Sequence, residues 1–452
     1  MKTIKNYMNN SNNDYIRPVN IEYANNKKDY DINNLKVIGI TGSTGKSTTA
    51  FIIHKYLQSI GKKTVLYSSI MVDNPASLIP NNVGYEVACK DQSSFLSILN
   101  EAEQYGAEYL VLEVNESTIE KGFIIDFPFT VRVLTNLIPV HNLDRYTIED
   151  YINIKKSFFD IDDGSTSVLG FQYYEKELLD ELIRLNRNKK TIICTNKTIK
   201  DKYNLDSVDV LLSECKNSIN GLELKIETCN KDLFIKTNIS MFHNAMNILT
   251  CIAVIKELGL FNDKSFSNLL SNFSVPGRSE VIKASGQYII IDSHMIRVLE
   301  NLKEYKKNGE INKIIIVFGS IGSGFRSWDN RFKTSDYIEK HHKAKKYAVE
   351  FACKYVDEIY FTESDSAKEN PLDICIELES YKNKDIPSKI IVSRYEAIKD
   401  AIIKSNTGDA IFISGRGNRS IMCVSSTKVK HIKDVDIVFD IIKELGWTID
   451  EK

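Results

Sequence analysis

At 452 residues the chain is too long for one hydrophobic core, so two or three domains are expected. Its 59 basic and 60 acidic residues leave a net charge of -1, which excludes an overall field drawing it to nucleic acid or an anionic membrane. No run of about 18 apolar residues offers a membrane span. The polar start MKTIKNYMNNSNNDY does not read as a signal peptide, and the eight cysteines, Cys89 to Cys423, show no CxxC spacing. Free thiols in a reducing, cytoplasmic compartment are therefore expected.

Residues 1–35 read as a polar lead segment. LKVIGI is then an apolar strand, TGSTGKST a loop, and TTAFIIHKYLQSIG a helix ended by Gly61. KKTVLYSSI, AEYLVLEV, TVRVLTNL, STSVLGF, KKTIICT and VDVLL read as further strands. SSFLSILNEAEQYG and TIEDYINIKKSFFDI read as helices between them, an alternation that predicts a largely parallel sheet. GLELKIET and DLFIKTNI look like a hairpin turning near Asn230-Lys231-Asp232, and MFHNAMNILTCIAVIKELG like an amphipathic helix.

Pro276-Gly277 breaks the pattern, so a domain boundary is placed there, giving domains over 36–275 and 276–452. YIIIDSH, INKIIIVFGS, VDEIYFTES and DAIFISGRGN then read as strands. MIRVLENLKEYKKN, SDYIEKHHKAKKYAVEFACKY and YEAIKDAIIKS read as helices, the second of them as one helix or two. The fold class is α/β twice over, each time with a mostly parallel sheet.

Gly42, Ser43, Thr44, Gly45, Lys46, Ser47 and Thr48 lie between a strand and a helix. Glycines let backbone N–H groups wrap a phosphate, and the helix N-terminus adds positive potential. Lys46 would neutralise β/γ-phosphate charge, with Ser47 or Thr48 holding magnesium. The strict phosphate-loop pattern begins with a glycine where Ile40 stands. Glu113 ends the buried strand LVLEV, where a carboxylate in a parallel sheet faces the ligand crevice or pairs at an edge.

The loop TGSTGKST resembles that of the Mur ligases, which add amino acids to the peptidoglycan precursor, and of the related folylpolyglutamate synthetases. The resemblance continues in order through LEVNEST, TNL, HNLDRY, YINIK, FHNAMN, PGRSEVI, IDSH and GRGN. It is strongest to the branch of the family that adds the third residue. It implies a phosphate-loop central domain followed by a Rossmann-like α/β domain, with ATP and magnesium as cofactors.

By this resemblance Glu113 is a magnesium ligand, and His141 or Asn142 stands at the family's histidine ligand, with His141 preferred because imidazole coordinates better. Lys155 in YINIK, with Lys156 as its neighbour alternative, matches a lysine that is carbamylated to hold a second metal. An unmodified ammonium has no acceptor for that task. Asn244 and Asn247 match nucleotide-contacting asparagines, although helix capping or polar packing would also suit them. Arg278 would bridge phosphates when the domains close, or else form a linker salt bridge. Asp292 and His294 match part of a further motif with one residue missing between them.

The implied reaction phosphorylates a carboxylate with ATP and lets an amine displace the phosphate. The partners expected are a carboxylate acceptor and an amino acid or other amine. Thirty-five residues before the first strand do not accommodate the family's UDP-sugar domain. The amino-acid-reading segment aligns with Ser364-Asp365-Ser366-Ala367, without its arginine, leaving Lys368 next to it. A ligase for another acceptor is the first reading. A UDP-muramoyl-peptide ligase and a non-catalytic nucleotide-binding subunit are the alternatives.

Overall fold

The first sheet is assembled from β1 (Lys36–Thr41), β2 (Thr64–Tyr67), β3 (Val72–Asp73), β4 (Tyr109–Glu113), β5 (Val131–Leu134), β6 (Thr166–Gly170), β7 (Thr191–Asn196), β8 (Val210–Ser218), β9 (Gly221–Thr228) and β10 (Asp232–Thr237). Their order is β10-β9-β8-β7-β6-β5-β1-β4-β2-β3. The strands from β8 to β2 in that order run parallel, and β3, β9 and β10 pair antiparallel to their neighbours. The computed structural model describes residues 34–77, 91–122, 124, 127–138, 146–160, 164–172, 174–186, 190–229, 231–323, 334–423 and 429–450. Most of the lead segment lies outside them, as do His141 and Asn142.

Both faces of this sheet are covered, which is why its central strands are continuous apolar runs. Side chains alternate between faces along a strand. Ile38, Ile40, Val111 and Val133 pack under the helices Lys46–Ser59 and Phe242–Glu257. Val37, Leu110, Leu112 and Leu134 meet Phe95, Leu99 and Phe158 on the other side. Arg132, fully buried, sits over the rings of Phe129 and Phe158 and donates to the carbonyls of Phe127 and Phe158 at 2.9 and 3.0 Å.

The second sheet contains β11 (Glu280–Ala284), β12 (Gln287–Asp292), β13 (Ile314–Phe318), β14 (Glu358–Phe361), β15 (Ser388–Ile390) and β16 (Ala410–Ser414), ordered β11-β12-β16-β13-β14-β15. All but β11 are parallel. Val275–Arg278 leads into it as a turn closed by Arg278 N–H donating to Val275 O at 3.0 Å. Pro276 and Gly277, with φ of +64° at the glycine, occupy its two central positions, as a type II turn requires. A Cβ on Gly277 would come within 2.3 Å of the Asn418 nitrogen, so only glycine fits.

The hairpin of β9 and β10 forms as the sequence indicates, and β8 extends it by pairing antiparallel to β9. SDYIEKHHKAKKYAVEFACKY gives one helix, Ser335–Ala352. The helices Lys176–Leu185, Asp263–Ser271, Pro371–Ser380 and Asp434–Glu444 were not legible in the sequence pattern. The last is anchored by a tertiary pair, Asp434 with the fully buried Arg394 at 2.6 and 2.8 Å. No helix among the described residues is long and apolar enough to cross a membrane.

Candidate functional site

The loop after β1 is held open by its neighbour β5. Ser43 N–H donates to Asn136 O at 3.1 Å, Thr44 N–H to Asn136 Oδ1 at 3.1 Å, and Thr135 Oγ1 to Thr44 O at 2.6 Å. Ser43 Oγ accepts from Ile138 N–H at 2.7 Å and from the Tyr151 hydroxyl at 2.8 Å. Gly42 and Gly45 have φ of +143° and +80°. A Cβ on them would lie 2.1 Å from Thr135 Oγ1 and 2.2 Å from Asn247 Oδ1, so glycine is needed for conformation and for space. Lys46 opens the helix Lys46–Ser59 and folds its ammonium over the loop, donating to Gly42 O at 2.9 Å.

Beyond the loop, oxygen donors gather at the carboxyl ends of the strands. Glu113, at the end of β4, is 5% exposed and accepts from Ser69 N–H at 2.8 Å. Ser69 Oγ lies 2.8 Å from Ser47 Oγ and accepts from Arg278 Nη2 at 3.1 Å. Two hydroxyls and a carboxylate, all hard oxygen ligands, fit magnesium, and Ser47 and Glu113 would hold it.

Lys155 and Glu116 form a second centre. Lys155 Nζ, 1% exposed, donates to Thr41 Oγ1 at 2.9 Å and to Glu116 Oε2 at 3.1 Å. Burial pushes its ammonium down to about 8 against the pull of Glu116, and the charge of Lys46 adds to the effect. Asn115 caps the short helix that carries Glu116, its Oδ1 accepting from Thr118 N–H at 3.0 Å.

Asn244 and Asn247 are buried on the helix Phe242–Glu257, with Asn247 Nδ2 donating to Asn244 Oδ1 at 3.0 Å. Asn247 also touches the loop through Gly45. Asp292, at the end of β12, accepts from Ser279 N–H at 2.6 Å and from His294 N–H at 2.7 Å. Burial alone would raise its carboxyl. Hydrogen bonding and charge from His294, with the charge of Arg278, instead hold it down to about 2.

Two sequence models divide the chain between them. That of the Mur ligase middle domain matches residues 40–255, and that of the Mur ligase glutamate ligase domain matches residues 277–417. The chain belongs to the Mur ligase family. It is accordingly an ATP-dependent ligase that forms carbon–nitrogen bonds. Relatives in the family include the UDP-N-acetylmuramoyl-L-alanyl-D-glutamate–2,6-diaminopimelate ligase of Clostridium perfringens, 29% identical over 93% of this chain and 80% of the relative. The enzyme of that name from Geobacillus kaustophilus is 22% identical over 91% of this chain and 80% of its own length. Among solved structures, the MurF ligase from Thermotoga maritima in complex with ADP superposes with a TM-score of 0.61 at 18% identity, covering 91% of this chain and 81% of that one. E. coli FolC in complex with ADP gives 0.62 at 15%, covering 91% and 90%.

Within this Mur ligase fold, Ser47, Glu113 and Arg278 converge on Ser69, while Lys46 folds over the loop onto Gly42 O and Lys155 reaches Thr41 at the end of β1. Sequence reasoning missed Ser69, which carries no motif. It also left Thr135 and Asn136 without a role, although TNL marks them, and passed over Glu116 inside LEVNEST. On the second sheet, Asp365 accepts from Arg419 Nη1 at 3.2 Å and pairs with Arg416 at 3.2 Å. Two arginines from the GRGN turn region therefore stand by the segment that lacks its own.

Proposed function

We infer that this ligase joins a carboxylate acceptor to an amine through an acyl phosphate, releasing ADP and phosphate. The observation that carries this reading is the Ser47–Ser69–Glu113–Arg278 network, in which the segment leading into the second sheet reaches the phosphate-loop end of the first. A carboxylate oxygen attacks the γ-phosphorus, and the bond to ADP breaks. The amine nitrogen then attacks the acyl carbon, the phosphate leaves with its bonding electrons, and the nitrogen sheds a proton.

Lys46 and Arg278 supply fixed positive charge where phosphoryl oxygens accumulate negative charge. With the Ser43 and Thr44 N–H groups bracing the loop against Asn136, the backbone N–H groups at the start of the helix Lys46–Ser59 cradle the nucleotide phosphates. Ser47 and Glu113 would hold magnesium, which when bound would supply Lewis-acid neutralisation of the phosphates. Thr41, Glu116 and the buried position of Lys155 fix a second charged group behind the loop. Lys155 as a carbamate, with His141, would serve a second cation.

The matched diaminopimelate ligases favour a second reading, with a UDP-muramoyl dipeptide as acceptor. Phosphate release should be measured with ATP and magnesium across acceptor pools, with single amino acids added. Release that depends on both an acceptor and an amine, with an amide product, supports the ligase reading. ATP hydrolysis indifferent to both would overturn it. Restriction to UDP-sugar peptides would select the second reading over the first.

A further inference from the structure

The turn that delivers Arg278 is followed by a residue whose backbone is out of the ordinary. Ser279 has φ of +47°, the left-handed region disfavoured for a residue with a side chain. Its N–H donates to Asp292 Oδ2 at 2.6 Å and its Oγ donates to the same oxygen at 2.9 Å. With the hydroxyl proton so committed, Ser279 Oγ accepts from His243 Nε2 at 3.1 Å. His243 belongs to the helix Phe242–Glu257 that packs under the first sheet, and Asp292 ends β12 of the second. A chain of donors, His243 to Ser279 to Asp292, thus crosses the junction one residue beyond Arg278. On the other side of Arg278, Gly277 N–H donates to Glu280 Oε2 at 2.8 Å.

We propose that Ser279, clamped between His243 and Asp292, is a positioning residue that holds the junction in the one conformation that sends the Arg278 guanidinium to Ser69 and the phosphate loop. This rests on the nucleotide-site reading above. A left-handed serine persists only where its surroundings over-determine it, and here three hydrogen bonds do so. Relaxing Ser279 to an extended or helical backbone would rotate the chain that leaves Arg278 and break the reach to Ser69. Ser279 itself touches no reacting atom; it acts through its neighbour.

The test is a double-mutant cycle on the full chain, reading the affinity for the magnesium complex of a non-hydrolysable ATP analogue by titration calorimetry. Ser279→Ala is expected to weaken binding about fivefold to tenfold in the parent, and by less than about twofold when Arg278 is already alanine. Asp292→Asn, which keeps an acceptor oxygen for the Ser279 N–H, should bind better than Asp292→Ala. Thermal melting of each variant reports folding. If Ser279→Ala does not fold, Ser279→Gly, which adopts positive φ freely but lacks the hydroxyl, takes its place with the same expectation. Equal losses from Ser279→Ala in both backgrounds, or parental affinity in the single variant, would overturn the proposal. Parental affinity in Arg278→Ala would instead overturn the site reading beneath it.

Discussion

Arg278 Nη2 donates to Ser69 Oγ at 3.1 Å, joining the segment that enters the second sheet to the turn that follows β2 of the first. The two residues are 209 positions apart, and a second contact, Asn418 Nδ2 to Ile70 O at 2.8 Å, lies beside the first. The turn at 68–70 is therefore where both sheets meet the phosphate loop.

Removal of Arg278 tests that convergence. Arg278→Ala should lower kcat/KM for ATP by about 10- to 100-fold, the scale of losing a hydrogen bond to a charged group. Arg278→Lys keeps the charge but not the planar fork and should recover only part of it. Steady-state kinetics with varied ATP check this, and full recovery by lysine would reject a need for the guanidinium geometry.

Lys46→Ala should abolish product formation and leave the fold in place. Its ammonium rests on the carbonyls of Gly42 and Ser43 at the loop surface, not in the apolar core. Product assay and thermal transition are read on the same preparation. An active, folded variant would remove Lys46 from the mechanism.

The phosphate loop was legible because its constraints are local. Gly42 and Gly45 need positive φ and a missing Cβ, and Lys46 follows at the helix start. Pro276-Gly277 was legible for the same reason, since the turn type dictates the residues. Ser69 was not, because nothing within its own turn distinguishes it. It enters the site only because β2 lies beside β4 in the sheet, which brings its N–H to Glu113. The helix Asp434–Glu444 escaped notice similarly, with its start fixed by Arg394, 40 positions away. Glu116 sits in a motif that was read for its neighbour Glu113, and its partner Lys155 comes from a separate helix.

Acid should loosen the junction. Burial pushes the His243 imidazole down to about 4, against the pull of the Asp292 charge, while Arg297 and His294 add to the lowering. Between the ordinary imidazole range near 6.5 and the folded value, the unfolded chain binds a proton that the folded one refuses. Stability from this group is therefore complete above about 6.5 and lost as pH falls toward 4. The Asp292 carboxyl, held down to about 2, adds a loss only below the ordinary aspartate range. Melting temperature measured from pH 7.5 to pH 4.5 should fall less steeply in His243→Gln than in the parent. Parallel curves would show that His243 does not titrate differently in the folded chain.

Lys155 is expected to carry a carbamate in the working enzyme. Its position in YINIK matches the family lysine, and burial lowers its ammonium to about 8, which makes the neutral amine easier to reach than in an ordinary lysine. The neutral Nζ attacks the carbon of carbon dioxide, a nitrogen–carbon bond forms, one N–H proton leaves, and a cation becomes an anion. Glu116, whose oxygen lies 3.1 Å from that nitrogen, stabilises the ammonium and would repel the carbamate. The modification should therefore be coupled to a cation that both acids share. In protein incubated with ¹³C-bicarbonate, a carbamate carbon signal should rise when magnesium and nucleotide are added and be missing from Lys155→Ala. That variant should lose most activity and regain part of it with short-chain carboxylates. Electron density for an unmodified Lys155 ammonium, still paired with Glu116 in an active complex with ATP and magnesium, would refute the carbamate. The charge behind the loop would then be a fixed cation, and the chemistry would run on the metal held by Ser47 and Glu113.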